Sequence, residues 1–321
     1  MERFQDLFDP GQESPLVSFQ ADWLRERDIR CWVKRDDLLA LPVKGDPLAF
    51  SGNKWRKLKW NLVEAARQGH QQLLSFGGAF SNHIVALAAA GYLFGFQTVG
   101  VIRGECPEPL NPSLAFAKKC GMQLHFISRS DYRRKNEASF QQVLQSQVGD
   151  SYMIPEGGSN ALALKGTAEL ADTIKRQLGE LPEGIHLCCG TGGTAAGLIQ
   201  GLGGASQVFG YSVLKGDFHE KEIESFLDEN PKNWHIHTEF HHGGYAKTTS
   251  ALLGFIREFP DHYGFYIDPI YTGKLFWAFR QKVLRGQIPG GSRHVLIHSG
   301  GLQGIRGYNQ RFGTKLPLPP T

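Results

Sequence analysis

The sequence lacks most features that are typical of secreted proteins, membrane-spanning proteins and proteins stabilised by a structural metal. Its 321 residues include only five cysteines, an odd number, and no Cys-x-x-Cys pair, so neither a disulfide framework nor a cysteine zinc site is expected. The first fifteen residues contain no apolar run, and nowhere do eighteen apolar residues follow one another. Neither a signal peptide nor a membrane contact is therefore expected. Together these absences predict a reduced, cytoplasmic protein.

An excess of charge of one sign is also missing. The chain has 35 basic and 31 acidic residues, for a formal net charge of +4 spread along its length, so a nucleic-acid partner is not expected. A composition of 41% hydrophobic and 21% charged residues is that of a globular protein. At about 150 residues per domain, the length fits one large or two ordinary domains.

Short apolar runs alternate with amphipathic stretches along the chain. The apolar runs predict strands at 73–76, 98–102, 123–127, 185–189, 208–214 and 294–298. Helical spacing of apolar residues predicts helices at 54–68, 82–94, 132–147, 161–178, 247–259 and 274–285. This order predicts an α/β fold with open parallel sheets, in which ligands bind at the carboxyl ends of strands.

Four glycine-rich turns follow predicted strands, at residues 76–83, 155–160, 189–194 and 298–301. The segment Gly190–Thr194 is the best anion site, because it follows an apolar strand and opens a helix whose free N–H groups would face a phosphate. It has neither the Gly-Lys-Ser/Thr ending of a nucleotide-binding loop nor a Gly-x-Gly-x-x-Gly pattern, which argues against ATP and NAD. On its own, the segment could also be a tight turn without a ligand.

A lysine could decide the chemistry at such a phosphate site. Lys54 follows Ser51, Gly52 and Asn53, where a polar turn becomes a helix. A lysine at a helix start is often simply solvated. The positive end of the helix dipole nevertheless disfavours a cation there and favours the neutral amine, the form that attacks an aldehyde.

Eight short segments of the chain match a known protein family, and they occur in the same order as in that family. They are residues 34–38, 52–54, 77–83, 155–160, 190–194, 243–245, 268–274 and 298–301. With these segments the chain resembles the 1-aminocyclopropane-1-carboxylate deaminase and D-cysteine desulfhydrase family. The resemblance implies a pyridoxal-phosphate enzyme with two open parallel sheets and a tryptophan-synthase-β-like fold, that is, pyridoxal-phosphate fold type II.

The resemblance also implies a role for each matching residue. Lys54 matches the lysine that carries the cofactor as a Schiff base, Ser81 a hydroxyl beside the substrate carboxylate and amine that handles protons, and Asn82 the amide beside the cofactor ring hydroxyl. Tyr245 and Tyr271 match two phenols over the substrate. The segment that matches the phosphate cup consists of Gly190, Thr191, Gly192, Gly193 and Thr194.

The resemblance further implies a division into two domains. Residues 1–55 and 163–321 would form the large cofactor-binding domain, and residues 56–162 a small α/β domain inserted into it. The cofactor would lie in the cleft between them, and the protein would be a homodimer.

Two positions distinguish the reactions of this family. The resemblance places Thr272 and Ser299 in contact with the cofactor. The deaminase pattern has Glu and Leu at these two positions. It also tends to have Gln at the position of His83. A neutral hydroxyl would hold a proton on the pyridine nitrogen less well than a carboxylate. The expected reaction is therefore β-elimination from a small amino acid, D-cysteine giving pyruvate, sulfide and ammonia. The alternatives are a true aminocyclopropanecarboxylate deaminase and a non-catalytic pyridoxal-phosphate-binding regulator.

Two further clusters are weaker signals. His235, His237, His241 and His242 lie close together with Glu239, but a solvated or hydrogen-bonded strand end explains them better than a metal, and no metal is expected. Arg103, at the end of a predicted strand, could line the pocket or form a surface ion pair.

Overall fold

The structure is a computed structural model that describes residues 2–9 and 13–320. Its strands, numbered in chain order, are β1 (Leu16–Ser18), β2 (Arg30–Lys34), β3 (Gln72–Gly78), β4 (Gln97–Arg103), β5 (Gln123–Ile127), β6 (Tyr152–Ile154), β7 (Gly184–Cys189), β8 (Gln207–Ser212), β9 (Trp234–His237) and β10 (Arg293–Ile297). They form a six-stranded sheet in the order β1-β2-β10-β7-β8-β9 and a four-stranded sheet in the order β5-β4-β3-β6. Every pairing is parallel except that of β1 with β2.

Helices connect and cover the two sheets. They are α1 (Asp22–Arg25), α2 (Gly52–Arg67), α3 (Asn82–Phe94), α4 (Pro112–Lys119), α5 (Arg129–Arg133), α6 (Ala138–Val148), α7 (Ala161–Leu178), α8 (Gly193–Leu202), α9 (His219–Glu224), α10 (Ser250–Tyr263), α11 (Thr272–Leu284) and α12 (Gly304–Phe312). Short 3₁₀ turns lie at Glu2–Leu7, Asp36–Leu38 and Glu156–Gly158. The parallel sheets with helical crossovers are the predicted α/β architecture.

Helices α2, α7 and α8 pack unusually closely, and this packing brings two of the predicted site segments together. A Cβ on Gly166 of α7 would lie 2.1 Å from the Arg56 carbonyl oxygen of α2, and one on Gly197 of α8 would lie 2.0 Å from Thr167 Oγ1 of α7. Only glycine permits these approaches. The first turn of α2, which carries Lys54, and the loop that opens α8 are thereby held on one side of the larger sheet.

Three of the predicted elements need correction at their ends or in their continuity. The predicted helix 132–147 is wrong as a single helix: it breaks after α5, and the Gln141 amide donates to the Lys135 carbonyl that the break leaves free, at 2.8 Å. The strand predicted to reach residue 214 ends at Ser212, whose hydroxyl bonds Leu214 in a turn. Helix α10 continues past Pro260, whose carbonyl accepts from the Gly264 N–H at 2.8 Å.

The two sheets draw on separate parts of the chain. Strands β3 to β6 all come from within the predicted inserted domain, and the other strands from outside it. The predicted boundaries at residues 56 and 163 fall inside α2 and α7 rather than in linkers. The exact division into domains stays a prediction.

Candidate active site

A cavity of about 1100 Å³ is lined by turns from the carboxyl ends of both sheets. All four glycine-rich turns contribute to its wall. The predicted site residues that line it are Lys54, Ser81, Asn82, Gly190, Thr191, Gly192, Thr194, Tyr245, Tyr271 and Ser299. Gly193 and Thr272 do not line it. Residues more than 200 positions apart in the sequence thus share one site.

Lys54 lies in the first turn of α2 with its side chain in this cavity. Its Nζ donates to the Gly157 carbonyl at 3.1 Å. Burial lowers the pKa of Lys54 to about 8, although the Cys188 thiol acts in the opposite direction. The turn before it is fixed: the Asn53 N–H donates to the Ser299 carbonyl at 3.0 Å, and a Cβ on Gly52 would lie 2.4 Å from that oxygen. The amine is therefore both well placed and easily deprotonated.

The loop Gly190–Thr194 lies next to the start of α2. The Thr194 hydroxyl donates to the Asn53 side-chain oxygen at 2.7 Å, which ties the beginning of α8 to the beginning of α2. Gly193 is buried behind the loop, where a Cβ would lie 2.7 Å from the Ser159 hydroxyl, and its N–H bonds the Thr191 carbonyl. Its N–H is thus occupied within the loop in this structure.

Lys57 is a site residue that the sequence interpretation missed. It is 1% exposed, and its Nζ lies 2.8 Å from Ser159 Oγ, 3.2 Å from the Gly157 carbonyl and 3.3 Å from Thr191 Oγ1. Within the described part of the chain no carboxylate forms an ion pair with it. Burial first, and then the charge of Lys54, lower its pKa. A buried amine next to a loop that could bind a phosphate indicates that an anion completes the site. The signal was present in its helical i,i+3 spacing from Lys54.

The turn that opens α3 carries the next group of predicted residues. Ser81 caps the helix, and its hydroxyl accepts from the Ile84 N–H at 3.3 Å. The Asn82 amide packs closely against the turn of Gly301 and Gly304, at either of which a Cβ would lie 3.1 Å from its side-chain atoms. Both side chains reach the cavity. This arrangement places a hydroxyl and an amide on the wall next to the residues around Ser299.

His83 follows these two residues and is buried. Its Nε2 lies 2.8 Å from the Ser75 hydroxyl, whereas its Nδ1 is buried without a hydrogen-bond partner among the described residues. Burial lowers the pKa of His83, and the charges of Lys54 and Lys57 lower it further. The imidazole is therefore neutral at physiological pH, and the residue lines the cavity.

Two tyrosines, Tyr245 and Tyr271, form the opposite wall. Their rings meet edge to face with centroids 6.3 Å apart. Burial raises the pKa of both phenols, so both hydroxyls are protonated donors at neutral pH. The Asp268 carboxylate fixes the turn before α11 by accepting from the N–H groups of Ile270 and Tyr271 at 2.8 and 3.0 Å.

Thr272 and Ser299, both predicted as cofactor contacts, occupy different environments. The Thr272 hydroxyl is buried away from the cavity, where it donates to Asp268 Oδ1 and accepts from the Asp268 N–H, both at 2.8 Å. Ser299 does line the cavity, with its Oγ 3.3 Å from Cys188 Sγ. A cofactor contact by the Thr272 side chain stays a prediction, since its hydrogen-bonding groups are engaged in the turn.

Lys274, in the first turn of α11, connects the two tyrosine segments. Its side chain is fully buried, and its Nζ donates to the carbonyls of His241 and Gly244, both at 2.8 Å. Those carbonyls belong to the loop that carries Tyr245. One ammonium group therefore holds that loop against the helix that follows Tyr271.

The remaining candidates can be placed as follows. In residues 2–9 and 13–320, no group of three or more His, Cys, Asp and Glu residues could hold a metal ion. His237 instead lies 3.3 Å from Glu239. Arg103 lines the cavity, with its guanidinium 5.5 Å from the Tyr132 ring centroid. No helix that the structure describes is long and apolar enough to cross a membrane.

Comparison with known proteins identifies the group of enzymes to which this site belongs. The family model described as pyridoxal-phosphate dependent enzyme matches residues 10–300. The chain belongs to this family. A putative 1-aminocyclopropane-1-carboxylate deaminase of Thermotoga maritima is 31% identical over 299 residues, which cover 88% of this chain and 91% of the relative. The predicted family and cofactor, pyridoxal phosphate, are confirmed.

Further relatives and solved structures agree with this assignment. A bifunctional D-cysteine desulfhydrase/1-aminocyclopropane-1-carboxylate deaminase of Arabidopsis thaliana is 29% identical, covering 85% of this chain and 73% of the relative. The crystal structure of an ACC deaminase homologue superimposes with a TM-score of 0.77 at 25% identity, covering 93% of this chain and 92% of that one. A cystathionine beta-synthase from Helicobacter pylori, at 17% identity and a TM-score of 0.64 over 98% of each chain, shows the same fold. The predicted fold class is confirmed.

The residues present fit pyridoxal phosphate. Lys54 offers a weakly basic amine to the aldehyde, and Lys57 offers a buried positive charge beside the glycine-threonine loop. The roles of the individual residues toward the cofactor stay predictions.

Proposed function

We propose that this protein catalyses β-elimination from a small amino acid, with D-cysteine as the preferred substrate. D-cysteine and water would give pyruvate, hydrogen sulfide and ammonia. The observation that carries the proposal is the neutral hydroxyl of Ser299, which lines the cavity. Thr272, the other position that distinguishes the two reactions, is also neutral but is buried in the turn with Asp268. The described residues that line the cavity include only two carboxylates, Glu156 and Glu222, and Asp268 is engaged by the turn before α11.

The absence of a carboxylate at positions 272 and 299 favours elimination over opening of a cyclopropane ring. Pyridoxal phosphate, when bound, withdraws electrons from the Cα of the amino acid. A carboxylate at the pyridine nitrogen would hold a proton there and strengthen that withdrawal, whereas hydroxyl groups do so less. Expulsion of sulfide needs only removal of the Cα proton and cleavage of the Cβ–S bond, so it tolerates the weaker electron sink.

The chain's own groups can move the required protons. Lys54, with its pKa lowered to about 8, can accept the proton from Cα as a general base. Ser81 provides a hydroxyl beside the expected position of the substrate carboxylate. The protonated phenols of Tyr245 and Tyr271 can donate to the departing sulfur.

The experiment compares three substrates on the purified enzyme loaded with pyridoxal phosphate. D-cysteine, L-cysteine and 1-aminocyclopropane-1-carboxylate are supplied separately, and sulfide, pyruvate and 2-oxobutanoate are measured. Sulfide and pyruvate from D-cysteine, without 2-oxobutanoate from the cyclopropane, are expected. Formation of 2-oxobutanoate as the faster reaction would instead support the deaminase, the activity in the names of several relatives. A cofactor-loaded protein inert toward all three would support a binding or regulatory role.

We also propose that the protein is a cytoplasmic homodimer. The proposal rests on the family resemblance and on the cysteine pattern, with five free thiols and no disulfide among the described residues. Light scattering of the holoenzyme and fractionation of the source cells test the two parts separately.

A further inference from the structure

The cavity wall carries more positive charge than the chain as a whole. Eight lysine and arginine residues line the cavity against two glutamates, a formal charge of +6 compared with +4 for the entire chain. Lys54 and Lys57 account for two of the eight and are assigned above to the cofactor. The others, near the mouth, are Arg103, Arg129, Arg133, Lys135, Lys247 and Arg311.

Most of these mouth residues lack a carboxylate partner. Lys135 pairs with Glu156 at 3.4 Å. In the part of the chain that the structure describes, no ion pair within 4 Å is formed by the other five. Arg103 and Arg311 are exposed, so a ligand that enters the cavity can reach them, and guanidinium groups without carboxylate partners around a cavity are typical of anion-binding sites.

Two of the arginines lie close to the same turn. Arg103 ends β4 beside Gly78 of β3, and its guanidinium would lie 3.7 Å from a Cβ at Gly78. Arg311 of α12 lies with its guanidinium 5.3 Å from the centroid of the Phe80 ring. Gly78 and Phe80 both belong to the turn that presents Ser81. The two charges are therefore held next to the proposed position of the substrate, one against the small sheet and one on α12.

The cavity has about 1100 Å³, slightly above the roughly 300–1,000 Å³ usual for a ligand site, so it can hold the cofactor together with a substrate larger than cysteine. A substrate with a longer, polar side chain would use the space between the two arginines.

We propose that Arg103 and Arg311 form a subsite for a second anionic group, so that this enzyme, besides D-cysteine, also acts on amino acids whose β-substituent carries an anionic oxygen group. The inference rests on the proposed β-elimination and names its substrate class. O-phosphoserine represents that class. Removal of its Cα proton and cleavage of the Cβ–O bond release phosphate with the bonding electron pair. The enamine that remains is protonated at Cβ to an imine. Water then adds to the imine carbon, which gives pyruvate and ammonium.

The test compares a charged and a neutral β-substituent on the holoenzyme. The value of kcat/KM is measured for O-phosphoserine and for 3-chloroalanine, both enantiomers of each, through pyruvate release. The kcat/KM for O-phosphoserine is divided by that for 3-chloroalanine. This ratio does not depend on differences in cofactor content between variants. Arg103→Gln and Arg311→Gln are each expected to lower the ratio about tenfold, as expected for loss of one charge-assisted hydrogen bond. Arg257→Gln is the matched control: Arg257 is exposed on α10 and does not line the cavity, so the ratio should not change.

Each outcome has a defined meaning. A ratio that both cavity variants leave unchanged overturns the subsite, as does an enzyme that converts 3-chloroalanine but neither binds nor converts O-phosphoserine. If no substrate gives pyruvate, the proposed β-elimination fails, and calorimetric binding of O-phosphoserine against serine then tests the subsite alone. Tighter binding of O-phosphoserine that depends on Arg103 and Arg311 supports the subsite, and equal binding rejects it.

Discussion

Replacement of Lys57 by methionine tests whether the buried ammonium holds the cofactor phosphate. Methionine has a similar length but cannot donate hydrogen bonds. A hydrogen bond to a charged group contributes about 1.5–3 kcal/mol, so the Kd for pyridoxal phosphate is expected to rise about 10- to 150-fold. Titration of the apoenzyme with the cofactor, followed by visible absorbance, gives this Kd directly.

The same substitution should have the opposite effect on the apoenzyme. Without a ligand, the charged form of Lys57 is disfavoured, because burial lowers its pKa and no carboxylate of the described residues pairs with it. Its removal relieves the cost of burying this group, so the Tm of the apoenzyme should stay equal or rise, while the gain in Tm on adding cofactor should shrink.

A neighbouring lysine on the same helix provides the control. Lys59 is also buried but pairs with Glu169 at 2.9 Å, away from the cavity. Lys59→Met should lower the Tm of the apoenzyme, because it leaves that carboxylate unpaired, and should change the Kd for the cofactor by less than about threefold. A Lys57→Met enzyme that binds pyridoxal phosphate as tightly as the parent would refute the phosphate role of Lys57.

Two further predictions concern the loop of Tyr245 and the amine of Lys54. Lys274→Met removes the charged donor from two loop carbonyls, which keep only their backbone N–H partners. Loss of these charge-assisted hydrogen bonds costs about 1.5–3 kcal/mol and should lower kcat at least about tenfold while cofactor absorbance persists. Lys282→Met on the same helix should change neither, and an unaltered kcat in Lys274→Met would contradict the positioning role. Because the neutral amine reacts and burial lowers the pKa of Lys54 to about 8, the rate of cofactor uptake by the apoenzyme should rise with pH and level off above about pH 8. A rate that keeps rising to pH 10 would show an ordinary lysine pKa.

The sequence patterns predicted the longer elements well because burial enforces their periodicity. Helix α3 occupies the predicted residues, and β5 agrees with the predicted strand at both ends. The missed strands, such as β9 with the sequence Trp-His-Ile-His and the three-residue β6, are short or carry polar residues. Their pairing depends on neighbours distant in the sequence, which a local pattern cannot represent.

The site was predictable to the extent that its chemistry depends on motifs. Ten of the predicted residues line one cavity, whereas Thr272 and Gly193 have their polar groups engaged elsewhere. The contributions of Lys57 and Lys274 were not foreseen, because both ammonium groups bind oxygens from segments distant in the chain. Such tertiary contacts become visible only once the helices are placed against the loops.

Chemical trapping of the bound cofactor tests the central claim, that Lys54 carries pyridoxal phosphate within reach of the Gly190–Thr194 loop. The holoenzyme is reduced with borohydride, digested and analysed by mass spectrometry. A phosphopyridoxyl group on the peptide that contains Lys54, absent together with the visible absorbance band in Lys54→Ala, is the predicted result. A label on another lysine, or a band that persists in Lys54→Ala, would contradict it.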